Sequence, residues 1–191
     1  MEKHELKSQA SQQWAEMRTV YAATKRLLIL SEEKLQSMKL YPAPLLEHRD
    51  ALDHIMSYSK IVAESGLCES AIHELANAKQ HEIRAFYDVA DYICISIRQE
   101  ISDTLNVLSK RQISAVWPEY RDVRAQAIEI SSQIAEIRNG TRESVHTIPI
   151  YEKAVDAMFE IYKQYLLDVQ PKIGHGFFYK FYRLLKGEYR L

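Results

Sequence analysis

Residues 68–116 read CESAIHELANAKQHEIRAFYDVADYICISIRQEISDTLNVLSKRQISAV, with neither glycine nor proline. Ile72, Leu75, Ile83, Phe86, Ala90, Ile93, Ile97, Ile101, Leu105 and Leu108 recur through it at near-heptad spacing, and only Lys79 interrupts the seam. Side chains three and four positions apart share one face of a helix, so this is a continuous helical stripe. A single helix over 68–116 would run about 70 Å at about 1.5 Å per residue, too long for a globin-like ball and suited to the spine of a bundle or coiled coil.

Outward from that spine the chain divides into further helix-length pieces. Glycine and proline number five each among 191 residues, too few to supply the turns of a many-stranded β-fold. They fall at Pro42 and Pro44, Gly66, Pro118, Gly140, Pro149, from Pro171 to Gly176, and at Gly187. A first helix is expected over 5–39, on the stripe Leu6, Ala10, Trp14, Met17, Tyr21, Leu28 and Leu35. A second starts behind the two prolines, which a first helical turn tolerates, and carries Leu45, Leu52, Ile55 and Val62 toward Gly66. Periodicity predicts further helices over 119–138 and 149–169 and a short one over 177–186, with a turn at Asn139-Gly140-Thr141. The fold expected is all-α: an elongated bundle of four to five main helices, one very long, packed as in a coiled coil. The bundle domain covers 1–170 and a separate C-terminal segment covers 171–191.

Charge and cysteine usage narrow the function classes. Twenty-five Lys and Arg stand against 26 Asp and Glu, a net charge of −1, so no overall basic field marks a nucleic-acid binder, and no DNA-specific motif is present. Cys68 and Cys94 form no C-x-x-C pair, which points to reduced, buried thiols rather than a disulfide framework or thiolate metal site. The N-terminus lacks the apolar core of a secretion signal, and no segment reaches the roughly 18 apolar residues of a membrane span. A cytoplasmic protein is expected.

The densest polar cluster is Glu47-His48-Arg49-Asp50-Ala51-Leu52-Asp53-His54, matched by His81-Glu82-Ile83-Arg84-Ala85-Phe86-Tyr87-Asp88 in the spine. Helical spacing places Glu47, Asp50 and His54 on one face, and His81, Arg84 and Asp88 on one face of the next helix. An antiparallel hairpin turning near Gly66 would set Asp50 opposite Arg84 and His54 opposite His81. Such a layer of Glu47, Asp50, His81, Arg84 and Asp88 fixes register between helices, as polar core positions do in bundles.

A second reading starts from Arg49-Asp50-x-x-x-His54, which resembles the R-[NDH]-x(3-5)-H motif of HEPN-type all-helical ribonucleases. The resemblance covers those six residues. In that family the Arg and His act without metal, with two copies meeting across a dimer to activate a ribose 2′-hydroxyl against its own phosphodiester. It implies catalytic roles for Arg49, stabilising phosphate charge, and for His54, moving the proton. A di-metal bundle would need two Glu-x-x-His motifs on facing helices; only Glu143-Ser144-Val145-His146 fits, and no metal or cofactor is assigned.

The C-terminus has its own chemistry. From Lys172 to Leu191 five Lys or Arg stand against one Glu, a local charge of +4. Phe177, Phe181, Leu184 and Leu185 share a helical face, with Phe178, Lys180, Arg183 and Lys186 beside it. Such a segment can lie on an anionic membrane, stack on RNA bases, dock into a partner's groove, or close the bundle. The function expected first is a cytoplasmic interaction or scaffold protein, working as a homo-oligomer or as a subunit of a larger assembly. A HEPN-like endoribonuclease is the alternative, and peripheral membrane association through the C-terminus comes third.

Overall fold

The computed structural model describes residues 3–35, 42–141 and 145–173. The segment 171–191 lies almost wholly outside the described residues, and with it the readings on Phe177, Phe178, Lys180, Phe181, Arg183 and Lys186. The described chain is helical throughout, with no strand. Its main elements are α1 (Lys3–Lys34), α2 (Ala43–Ser65), α3 (Glu69–Leu105), the short α4 (Lys110–Val116), α5 (Tyr120–Thr141) and α6 (Ile148–Gln164).

Helix α3 is the spine, against which α1, α2 and α6 pack, and α5 packs on α6. Its 37 residues extend about 55 Å, beyond the roughly 42 Å diameter of a sphere with the radius of gyration expected for a compact chain of this length. The bundle is therefore elongated. Midway along α3, Glu82, Ile83, Phe86, Tyr87, Val89, Ala90, Asp91, Ile93 and Cys94 are buried on every side, as a central helix requires.

The spine serves two overlapping halves. At its N-terminal end Leu75 and Ala78 close on Ala10 and Met17 of α1, with Trp14, Ile55 and Tyr58 beside them. Trp14 meets Tyr58 edge to face and Tyr21 meets His48 likewise, so α1 and α2 are antiparallel and α1 runs parallel to α3. Lys79, the one break in the apolar seam, reaches across to Glu16 at 2.8 Å. Toward its C-terminal end α3 packs on α6, and Tyr151, Val155, Met158 and Tyr162 of α6 share one core with Ile130 and Ile134 of α5. A ladder of tyrosine hydroxyls ties α3 to the parallel α6: Tyr87 to Thr147, Tyr151 to Asp91, Tyr162 to Glu100 at 2.7 Å and Tyr165 to Thr104 at 2.8 Å.

Three expected boundaries are corrected. The long helix ends at Leu105 rather than running on to 116. Asn106 closes it, and Ser109 opens α4 with a capping box in which its side chain accepts from the Gln112 N–H and the Gln112 side chain accepts from the Ser109 N–H. Ser and Asn side chains compete for backbone groups and so punctuate a helix without glycine or proline. Gly140 lies inside α5, not in a turn. Finally, α6 continues through a π turn at Tyr165–Val169 into Gln170–Lys172, where Gln170 N–H donates to the Tyr165 carbonyl. Pro171, which cannot donate and crowds the preceding turn, is the local reason for the widened turn.

Candidate functional site

Helix α2 holds the candidate site, because it is attached to the bundle in an unusual way. Only Pro44 and Ala51 of its residues are buried. Ile55 and Tyr58 add partial apolar contact, and the rest of the attachment is polar. His48 Nδ1 lies 3.1 and 3.0 Å from the two carboxylate oxygens of Glu82. His54 Nδ1 lies 2.6 Å from Glu74, and Glu47 takes Arg84 Nε at 3.0 Å and His81 Nδ1 at 2.8 Å. His54 and His81 stack with ring centroids 5.2 Å apart. The seam is thus three histidine–carboxylate pairs, alternating between helices, with one guanidinium.

Its electrostatics follow from that layout. Burial pushes the Glu47 carboxyl up, but hydrogen bonds and charge from Arg84 and His81 together hold it below the ordinary carboxylate value. His81 Nδ1 is also 2.8 Å from an Arg84 NH2 nitrogen. With a proton on Nδ1 the ring donates to Glu47; without one it accepts from Arg84. The imidazole therefore changes partners with its tautomer and charge.

The sequence-derived layer is part right and part wrong. Glu47, His81 and Arg84 converge as expected, and the His54–His81 juxtaposition is present. The Asp50–Arg84 pair is not: Arg84 goes to Glu47, while Asp50 accepts from the neighbouring Arg49 at 2.6 and 2.9 Å. The reason is reach. Glutamate has one methylene more than aspartate, and Glu47 sits one turn nearer the start of α2, where Arg84 arrives. Asp88 lies half-buried in α3, a turn beyond Arg84. His48 and Glu82, quoted in the two clusters but not assigned to the layer, belong to the seam, as does Glu74, which lies outside both clusters. Extending the His81 stripe back by one heptad would have reached Glu74.

Arg49 and His54 do not share a face. The Arg49 side chain is 63% exposed on the outward side of α2, whereas His54 is turned to α3 and held by Glu74. Among the described residues no group of His, Cys, Asp and Glu is arranged to hold a metal ion, and no helix is long and apolar enough to cross a membrane. The cysteines differ from the expectation for one of the two. Cys94 is buried, and desolvation pushes its thiol up to about 12; Cys68 is half-buried at the N-cap of α3, where the Ser70 hydroxyl and backbone N–H groups lower it.

The polar seam leaves the outer face of α2 without cover. Leu45, Leu52 and Met56 are 53, 56 and 62% exposed, and their spacing puts them in one stripe with Arg49 among them. Between α1 and α2 the surface dips into a groove of about 450 Å³, walled by Trp14, Met17, Tyr21, Leu52 and Ile55. Comparison with protein-family models, curated proteins and solved structures finds no match to the chain.

Proposed function

We propose that the chain is a helical interaction protein that self-associates through the outward face of α2. The observation carrying this reading is the exposed stripe Leu45, Leu52 and Met56 on a helix whose inward face is fastened by polar pairs. Exposed large apolar side chains gathered in one stripe mark an interaction surface more than scattered ones do. A second copy fits the charges. With two α2 helices antiparallel about Ala51, Arg49 of each would face Asp53 of the other, and Leu46 would face Met56. The contact would then be the same patch on both partners.

The test is mass by light scattering and sedimentation over a concentration series, for the wild type and for Leu52→Asp with Met56→Asp. The wild type is expected to dimerise. The double variant should be monomeric with an unchanged helical signal, since both side chains are exposed in the single chain, and its melting temperature should lose the concentration dependence that dimerisation gives the wild type. A wild type that stays monomeric at every accessible concentration would refute the proposal.

A second reading is a HEPN-like, metal-independent endoribonuclease. Its support is the exposure of Arg49 on that same stripe, so that self-association would gather two copies of it. Against it stands the orientation of His54 toward α3. Single-stranded RNA cleaved in EDTA by the wild type, and by neither Arg49→Ala nor His54→Ala, would establish it. Cleavage surviving in both variants, or absent from the wild type, removes it.

A further inference from the structure

The far half of the molecule carries a second concave surface, with different chemistry. It is a groove of about 530 Å³ running between the C-terminal part of α3 and α5, within the size range of small-molecule sites. Its floor is apolar, made by Ile101, Val123, Ala127, Met158 and Ile161. Two arginines, Arg98 from α3 and Arg124 from α5, are the charged side chains lining it, and no Asp or Glu does.

The neutral polar groups of the groove, serine hydroxyls and the Asn106 amide, can accept as well as donate, so its charge preference comes from the two arginines. Ser131 donates to the Ala127 carbonyl at 2.7 Å and Ser132 to the Ile128 carbonyl at 3.1 Å, while Asn106 donates to the Ser102 hydroxyl at 3.2 Å. Arg98 spends its Nε on the Cys94 carbonyl at 3.2 Å and one NH nitrogen on Ser131 at 2.9 Å, which fixes its guanidinium at the edge of the groove with its other nitrogen unspent. Arg124 makes no hydrogen bond or ion pair with the described residues. An apolar floor lined by two guanidiniums and by no carboxylate complements a molecule that has an apolar body and an anionic head.

We propose that this groove binds an amphipathic carboxylate, of which a fatty acid is the simplest representative, with the carboxylate paired to Arg124 and the chain lying over Ala127, Ile101 and Met158. Guanidinium and carboxylate form charge-assisted pairs whose planar geometries match. The site is separate from the α2 surface, so it stands or falls independently of self-association.

The experiment is calorimetric titration of the full chain with dodecanoate, and with dodecanol and dodecyltrimethylammonium as matched neutral and cationic probes. One saturable site for dodecanoate is expected, with the alcohol and the cation each at least about tenfold weaker. Arg124→Ala should weaken dodecanoate binding by about tenfold or more, and Arg124→Lys by less. Arg124 is exposed and unpaired, so neither change should alter the helical signal. Ala127→Trp, which fills the floor, should abolish binding of the chain, whereas Leu52→Asp on α2 should leave it unchanged. No binding by the wild type, equal affinity for the three head groups, or full affinity in Arg124→Ala would overturn the assignment.

Discussion

Removing the His48 side chain should show that α2 is held by its polar seam. The Glu82 side chain is 8% exposed and His48 21% exposed, so the bond between them is largely desolvated. A hydrogen bond to a charged group contributes about 1.5 to 3 kcal/mol, and stranding a buried charge costs about 3 to 5 kcal/mol. Because the rim at His48 admits some water, His48→Ala should cost near the lower of these ranges, about 2 kcal/mol. For a chain of this size that lowers the melting temperature by roughly 4 to 8 °C. Glu82→Ala removes the charge along with its partner's bond, so the double variant should be less destabilised than the two single variants together, by about 1 kcal/mol or more. Urea unfolding monitored by circular dichroism measures the cycle, and amide exchange localises the loss to α2. A coupling below about 0.3 kcal/mol, within ordinary additivity error, would refute the idea that this pair fastens the helix.

Other consequences are open to direct measurement. Glu47 is depressed in the folded state, so the stability it contributes is complete above its unfolded value near about pH 4.3 and is lost as pH falls through its lower folded value; Glu47→Gln should flatten that acid limb of the stability profile. Arg84→Ala and Glu47→Ala should couple in a double-mutant cycle, while Asp50→Ala should leave Arg84 unaffected, since Asp50 serves the exposed Arg49. Thiol labelling of the native chain should modify Cys68 within the time that leaves Cys94 intact, and denaturant should release Cys94; equal native rates would contradict the burial of Cys94. Tyr151→Phe, which removes the hydroxyl donated to the buried Asp91, should cost about 1.5 to 3 kcal/mol in urea unfolding, more than Tyr165→Phe, whose partner is the neutral Thr104 hydroxyl.

How much of this was written legibly in the chain depends on the range of the interaction concerned. The all-helical class, the spine and the start of α2 at Pro42, with Pro44 in its first turn, follow from spacing and from proline, which act within a turn or two. The end of α3 at Asn106 was hidden because a capping box needs only Ser and Gln three apart, and the apolar pattern runs on across the break to Leu108 and Ile113. The π turn was hidden for a similar reason: Pro171 was visible, but its effect on the turn before it is a geometric compromise, not a composition signal. The polar layer depended on register. Face membership is a property of one helix and was readable for Glu47, His81 and Arg84; which acid meets which base depends on the offset between two helices and on side-chain length, and there Asp50 gave way to Glu47.

The two surfaces of α2 are linked by that same register. A helix fastened by apolar side chains would have to turn Leu45, Leu52 and Met56 inward to gain their burial, worth about 1.5 to 3 kcal/mol each. Here the inward positions belong to Glu47, His48 and His54, whose partners on α3 are themselves buried or half-buried, and turning the helix would strand Glu82 in an apolar interior. The polar seam therefore holds the apolar stripe outward. If the seam is what keeps the stripe available, loosening it should alter self-association as well as stability. His48→Ala, measured at a temperature where the chain remains folded, should change the dimerisation constant even though the His48 side chain is bonded to Glu82 of α3 and does not belong to the stripe. A dimer constant unmoved by His48→Ala, with α2 exchange accelerated, would show that the stripe's orientation is set by something other than the seam.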